Sequence, residues 1–234
     1  MSGLKTGRNT HSPRAKLRSY KLPKETGIIM SGDHPLKCLD GTKTMTRRTW
    51  GLEKINKDPD AWVFVEYAYT EQGYRYIFNN NKTQDTLFVK CPYGDVGDRL
   101  WMRETFDFNP DSKQVFYRAD SKIQPYGKWR PSIHMYRWAS RGLFEILPGL
   151  RPERLWDITE ADAIAEGCRL IARTIRPYEL KPHPHYTGEE RPFTHRDHFI
   201  GLWDSLNAKR GYGWDGNWWV WRMPYKKLEG LASE

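Results

Sequence analysis

The sequence predicts an α+β fold built as a partly closed, mixed β-barrel with a few short helices and a side cleft. Three observations carry that expectation. Short runs rich in Val, Ile, Tyr, Phe and Trp recur through the chain between turn-forming residues. Only two or three short helical segments interrupt them. Strands and helices do not alternate regularly, which disfavours a doubly wound sheet, and no internal repeat is visible.

The elements follow in order. Gly27–Ser31 (Gly-Ile-Ile-Met-Ser) is a short apolar run and reads as a buried strand. Pro35–Asp40 reads as a short helix, with Pro near its start and Gly41 placed to end it. Thr42–Arg48 is extended or loop, dense in hydroxyl and basic side chains. Ala61–Tyr69 and Tyr74–Phe78 read as two strands, Asn79–Lys82 as a turn and Thr86–Cys91 as a third strand. Pro92–Asp98 is a turn that launches Arg99–Phe106, and Gln114–Arg118 and Gly142–Leu147 are further short strands. Trp129–Arg141 mixes aromatic and basic residues around Pro131 and reads as a structured loop.

Two helices carry stronger signals. Thr159 is placed to cap one, with Asp162 three residues on and Gly167 at its end. Thr194 and Asp197 open the other, which places Phe199, Leu202, Trp203 and Leu206 on one stripe and ends near Gly211. Asn217–Arg222 is a closing aromatic strand. Arg169–Pro192, with four prolines, reads as a long irregular insertion.

Composition narrows the function. The chain has 234 residues, 29% of them charged and 38% hydrophobic, so it is not disordered throughout. Its 11 tryptophans supply core volume first, and are also the residues that stack on bases. The net charge is +9, but residues 1–24 hold seven Lys and Arg and no acid, which leaves +2 for the remainder. That basic segment is expected to be disordered, and it either adds salt-sensitive attraction to nucleic acid or merely aids solubility. Residues 25–228 then form a single domain. Cys38, Cys91 and Cys168 show no paired spacing, which points to a reducing cytoplasm and away from a disulfide framework or a zinc site. No run approaches ~18 apolar residues, so no membrane span is expected.

One segment carries a resemblance. Gly41-Thr42-Lys43-Thr44-Met45-Thr46-Arg47-Arg48 resembles the signature of ASCH domains, a family of the PUA-like superfamily. Pro92–Trp101 and Asp157–Gly167 resemble that family's later segments, in the same order. Trp129–Ser140 and the Trp-rich closing strand look like its phage and bacterial branch. The likeness spans roughly residues 27 to 225, with about 51–90 and 169–193 looking like additions. It implies a small barrel whose cleft suits RNA or a modified base. Some small members remove the acetyl group of acetylcytidine with a Lys, a Thr and a Glu, which correspond to Lys43, Thr46 and Glu166 here.

Those residues also make chemical sense alone. A Thr hydroxyl needs a base to become a nucleophile, and a desolvated Lys serves as one. Glu166 falls in the last turn of a short helix, where the dipole disfavours negative charge by ~0.3–1 kcal/mol. It is thus placed to protonate a leaving amine or to hold Lys43. The plainer alternative is a surface ion pair beside an ordinary strand threonine.

Gly41, Thr44, Arg48, Arg103, Glu104, Trp129, Arg130 and Ser132 complete the candidate binding set. Arg47 and Arg48 face opposite ways if extended, and Arg48 is assigned to the cleft while Arg47 is left as a solvated charge. Arg103 and Glu104 divide in the same way. The loop holding Trp129, Arg130 and Ser132 is either a base-binding rim or a cover in which Trp129 and Trp138 plug the barrel. His195 and His198, and His183 and His185, lack the acid or Cys that would complete a metal site, so neither metal nor cofactor is expected. The expected function is hydrolysis of an acylated modified nucleoside or base. The alternatives are a non-catalytic reader of RNA or modified DNA, a ribonuclease and a phage structural protein. The oligomeric state is left open.

Overall fold

Aromatic and β-branched runs give most of the strands, and threonine caps open two of the helices. The structure is a computed structural model that describes residues 22–70, 73–120, 122–170, 174–175 and 191–229. In chain order the described strands are β1 (Glu25–Ile29), β2 (Met45–Arg48), β3 (Trp62–Thr70), β4 (Gly73–Asn80), β5 (Thr86–Val89), β6 (Arg99–Arg103) and β7 (Phe106–Phe108). They continue with β8 (Val115–Tyr117), β9 (Leu143–Ile146), β10 (Arg151–Arg154), β11 (Thr174–Ile175), β12 (Arg191–Pro192) and β13 (Trp219–Lys227). The helices are α1 (His34–Leu39), α2 (Glu160–Ala165) and α3 (His195–Asn207).

The main sheet has six strands in the order β1-β6-β9-β13-β10, with β2 also paired to β13. Strand β1 runs parallel to β6, whereas β2, β9 and β10 are all antiparallel to β13. The result is a mixed α+β fold in which a curled half-barrel sheet carries a few short helices. Strand β13 is its spine. By the alternation of a strand, Trp219, Trp221, Met223 and Tyr225 enter the main core while Val220 enters a second core under α2 and α3. The second core holds Leu155, Ile158, Phe199, Trp203 and Trp214.

Residues 51–90 are part of the main core. The β3-β4-β5 sheet sends Tyr76 and Phe78 edge-on against Trp221 and Trp219, with ring centroids 4.8 and 5.0 Å apart. Leu52, Ile55 and Val89 join the same cluster. Of the 169–193 segment, β11 and β12 pair antiparallel; its histidines at 183 and 185, like residues 1–21 of the basic tail, lie outside the described residues.

The helix caps are as expected. The Thr159 hydroxyl accepts the Asp162 N–H, and Thr194 and Asp197 form a reciprocal capping box. On α3, Phe199 and Trp203 are buried, while Leu206 is 41% exposed and turns toward a cleft. Strand β10 was not foreseen: Arg-Pro-Glu-Arg has weak strand propensity, and it is tolerated at the end of the sheet. Among the described residues no helix is long and apolar enough to cross a membrane. All three cysteines are free and buried.

Candidate functional site

The site begins where α1 ends. Gly41 takes a left-handed φ of +81°, which stops the helix and returns the chain toward β2. Lys43 then donates its backbone N–H to the Lys37 carbonyl, and Thr44 donates to that of Ala165 at the end of α2. These two bonds hold the Lys43 side chain against the C-terminal end of α2. There Gly167, at φ +79°, leaves room for it; a Cβ at that position would sit 3.2 Å from Lys43 Cβ.

Lys43 Nζ donates to Glu166 Oε2 at 2.5 Å and to the Glu166 carbonyl at 2.9 Å. The pair is almost wholly buried, with side chains 1% and 4% exposed. It is therefore no surface ion pair, and water does not screen it. Glu166 is also held by Arg47, whose Nη1 donates to Oε1 at 3.2 Å.

Arg47 departs from expectation: it is not a solvated charge but one of the largest fully buried side chains. Its guanidinium donates to Glu153 Oε1 at 2.6 and 2.9 Å and to Asp162 Oδ2 at 2.7 Å. The register explains why. Arg47 lies opposite Arg222, and Arg222 opposite Arg151, so three arginines form a row across β2, β13 and β10. Three carboxylates answer them. Arg222 Nη2 reaches Asp162 Oδ1 at 2.8 Å, and Arg151 Nη2 reaches Glu153 Oε2 at 3.0 Å. Burial works to take the proton from Arg47, but Glu166, Glu153 and Asp162 outweigh it and bind that proton more firmly than usual. Burial raises the Glu153 carboxyl above its ordinary range, whereas Asp162 is lowered, since Arg222 and Arg47 together overcome its burial.

Thr46 is fully buried, and its hydroxyl has no hydrogen-bond partner among the described residues. Of the Lys43, Thr46 and Glu166 set, the structure therefore joins Lys43 to Glu166 and leaves Thr46 unbonded to either.

Two cavities meet beside this pair. A narrow throat of about 20 Å³ is lined by Lys43, Glu166, Arg47 and Phe199. It shares His34, Arg48, Leu206 and Asn207 with a wider cleft of about 530 Å³. That cleft is lined by Arg48, Arg103 and Arg210 together with Trp50 and Tyr93, and among the described residues no Asp or Glu lines it. Trp50 is 54% exposed and meets the buried Tyr93 edge-on, at 5.5 Å between ring centroids. Burial raises the Tyr93 phenol, and the Arg48 charge beside it partly offsets the rise.

His34 stands where cleft and throat join, and its imidazole makes no hydrogen bond to another described residue. Burial, with the charges of Lys43 and Arg48, lowers its pKa to about 4, so the ring is neutral at pH 7.

The remaining candidates divide. Arg48 faces the cleft, as assigned, and donates to the carbonyls of Ile29 and Arg47. Arg103 faces the same cleft, with its guanidinium over the Trp101 ring and a bond to the Ile133 carbonyl. Glu104 is buried on the other side, where Arg141 binds both its oxygens at 2.8 and 2.9 Å. Burial still raises its carboxyl above the usual range. Gly41 and Thr44 are exposed and line neither cavity. Trp129, Arg130 and Ser132 likewise lie off the cleft; Arg130 bonds through its backbone to Phe106 and pairs with Asp107 at 3.4 Å. Nor does Trp138 plug the barrel: it is 48% exposed, and Met135 and Ala139 are the buried residues of that loop.

Sequence reasoning missed His34, Trp50, Tyr93 and Arg210. The first three flank segments already singled out, but nothing in their spacing marks them. Arg210 reaches the cleft only because α3 ends there. Among the described residues no cluster of three or more His, Cys, Asp or Glu could hold a metal ion. His195 instead pairs with Glu160 at 2.7 Å, and His198 accepts the Arg169 N–H.

No protein-family model, curated protein or solved structure matches the chain.

Proposed function

We propose that this chain handles modified nucleosides or nucleic-acid bases, and that it removes an acyl group from such a base at the Lys43–Glu166 pair. One observation carries the reading. A buried, water-shielded Lys–Glu pair lies at the foot of a cleft lined by three guanidinium groups and two aromatic rings, with no carboxylate. Aromatic faces and cations together suit a base and its sugar-phosphate. The curled sheet with short helices, and the Gly41–Arg48 segment, support a PUA-like barrel of the ASCH type.

In this mechanism the base enters between Trp50 and the cleft wall, with its acylated amine directed past His34. The attacking oxygen is the Thr46 hydroxyl or a water that it orients. The proton they share first passes from Lys43 to Glu166. The neutral amine of Lys43 then takes the proton of the attacking oxygen, and Glu166 gives its own to the leaving amine. Where Thr46 itself is acylated, a water hydrolyses that ester to release the acid. Arg47 holds Glu166 in place and does not touch substrate.

The test is incubation of the full chain with acylated and otherwise modified nucleosides, read by mass spectrometry beside Lys43→Met. Product that disappears in the variant is the expected result. Absence of turnover across the panel removes the hydrolase assignment.

A second reading, a non-catalytic reader of RNA or modified DNA, has its own support. The throat of about 20 Å³ has room for roughly one water and no acyl group. Tyr136 and Trp138 stack at an interplanar angle of 11° and are about half exposed, beside the Ile133 segment that Arg103 anchors. Retained nucleic-acid binding without turnover selects this reading.

A further inference from the structure

Arginines in this protein are mostly neutralised. Arg47, Arg99, Arg130, Arg137, Arg141, Arg151, Arg154, Arg191 and Arg222 each have a carboxylate within 4 Å. Arg48, Arg103, Arg118, Arg169 and Arg210 have none among the described residues, and three of these, Arg48, Arg103 and Arg210, gather in one cleft from three separate parts of the chain. Arg48 ends β2 and Arg103 ends β6, while Arg210 lies in the turn after α3.

Three cations facing one cleft repel one another, with a Coulomb energy that falls with their separation. Fold stability does not require this arrangement. Arg48 and Arg103 are held in place by carbonyl oxygens, which orient a guanidinium without cancelling its charge. The walls also keep hydrogen-bonding capacity in reserve. Among the described residues, Arg103 Nε and the Thr26 hydroxyl are both buried without a partner, and the imidazole of His34, a residue 6% exposed, is unbonded at the inner end. A neutral imidazole there offers one donor and one acceptor, which suits a sugar hydroxyl or a base edge rather than a second anion.

We infer that the cleft is a phosphate-binding site, and that the ligand it takes is a nucleotide carrying its phosphate rather than a free nucleoside. This rests on the proposed handling of bases and names the substrate class. The phosphate sits among Arg48, Arg103 and Arg210, whose forked donors match its oxygens. The base lies toward Trp50 and Tyr93. A volume of about 530 Å³ is of the size that accepts one nucleotide. The phosphate belongs either to a free mononucleotide or to a single strand threading the cleft.

Calorimetric titration of the full chain separates these. The probes are the four ordinary ribonucleosides, their 5′-monophosphates, inorganic phosphate and a six-nucleotide single-stranded RNA. Monophosphates binding at least ~10-fold more tightly than their nucleosides is the expected result. Arg210→Ala, an exposed substitution outside both cores, is expected to bring the affinity ratio of monophosphate to nucleoside down toward one. A hexanucleotide that binds more tightly than every monophosphate also supports the site and assigns the phosphate to a strand. Equal affinity for nucleoside and monophosphate overturns the inference, as does a gain that survives both Arg210→Ala and Arg103→Ala. So does failure of every phosphate-bearing probe to bind at millimolar concentration. None of these titrations needs turnover, so loss of the hydrolase reading leaves them decisive. Conversely, hydrolysis of free acylated nucleosides with no preference for phosphate removes the phosphate site alone.

Discussion

Arg47 and Arg48 are chain neighbours on one strand, yet Arg47 is bound by three carboxylates in the interior and Arg48 by none at the edge of a cleft. The alternation of β2 separates them, and the two sides of the sheet give them different work. Arg47 joins β2, β10 and α2, and Arg48 is left available to a ligand.

That division predicts opposite phenotypes. Arg47→Met leaves three buried carboxylates without their shared cation and is expected to cost ~3–5 kcal/mol of stability. Arg48→Ala removes bonds to two carbonyls and to the Met30 sulfur, none of them charged, and is expected to cost less than ~1.5 kcal/mol while weakening ligand binding. Urea unfolding of both variants, beside one binding titration, reads the contrast. Equal destabilisation by the two contradicts it.

For the chemistry, Lys43→Met and Glu166→Gln keep the side-chain volumes nearly unchanged. Each is expected to lower turnover of an acylated substrate at least ~100-fold, the usual scale of a lost acid or base. Circular dichroism must show the fold intact. Activity within a few-fold of the parent in either variant removes that residue from the mechanism.

His34 predicts a pH dependence. Its folded pKa of about 4 lies below the ordinary value of 6.5, because of burial and then Lys43 and Arg48; Glu166 and Asp33 oppose them only in part. Between those two values the unfolded chain binds a proton that the folded chain does not. Stability is therefore complete above pH 6.5 and falls as pH drops toward 4, by on the order of 3 kcal/mol in all. Denaturation midpoints at pH 7, 5.5 and 4.5 should decline in sequence, and His34→Asn should flatten the decline. An unchanged slope in the variant places the titration elsewhere.

Trp50 is half-exposed at the cleft wall, so Trp50→Ala is expected to leave thermal stability nearly unchanged. Its effect should fall on base affinity, with a loss of ~1–3 kcal/mol if a base stacks there. Titration with a nucleotide compares the two proteins, and undiminished affinity places the base on another wall.

Much of the fold was legible in local chemistry. The β3–β4 hairpin announced itself through Val, Tyr and Phe, and both threonine caps and the turns at Gly41 and Gly167 lie where the sequence put them. The buried state of Arg47 was not legible. Its partners Glu153, Asp162 and Glu166 lie 106, 115 and 119 residues away, and strand alternation says which side a residue faces, not what waits there. Strand β10 escaped notice for a related reason: Arg-Pro-Glu-Arg looks like a charged loop until Arg222 and Arg47 are lined up beside it. The Lys43–Glu166 pairing came through resemblance, and its depth in the interior did not. Arg210 had no local signal at all, since only the tertiary course of α3 carries it to the cleft.

Strand β13 follows every one of its partners in the chain, yet β2, β9 and β10 all depend on it for pairing. During synthesis these three strands leave the ribosome with an open edge, and Arg47 emerges long before its last neighbour Arg222. At about 5–20 residues per second the sheet stays unclosed for many seconds, and its long-range pairings are slow to form. The nascent chain thus keeps these strand edges open until its Trp-rich strand arrives. A ribosome stalled before Trp219 would display β2, β9 and β10 without the strand that joins them.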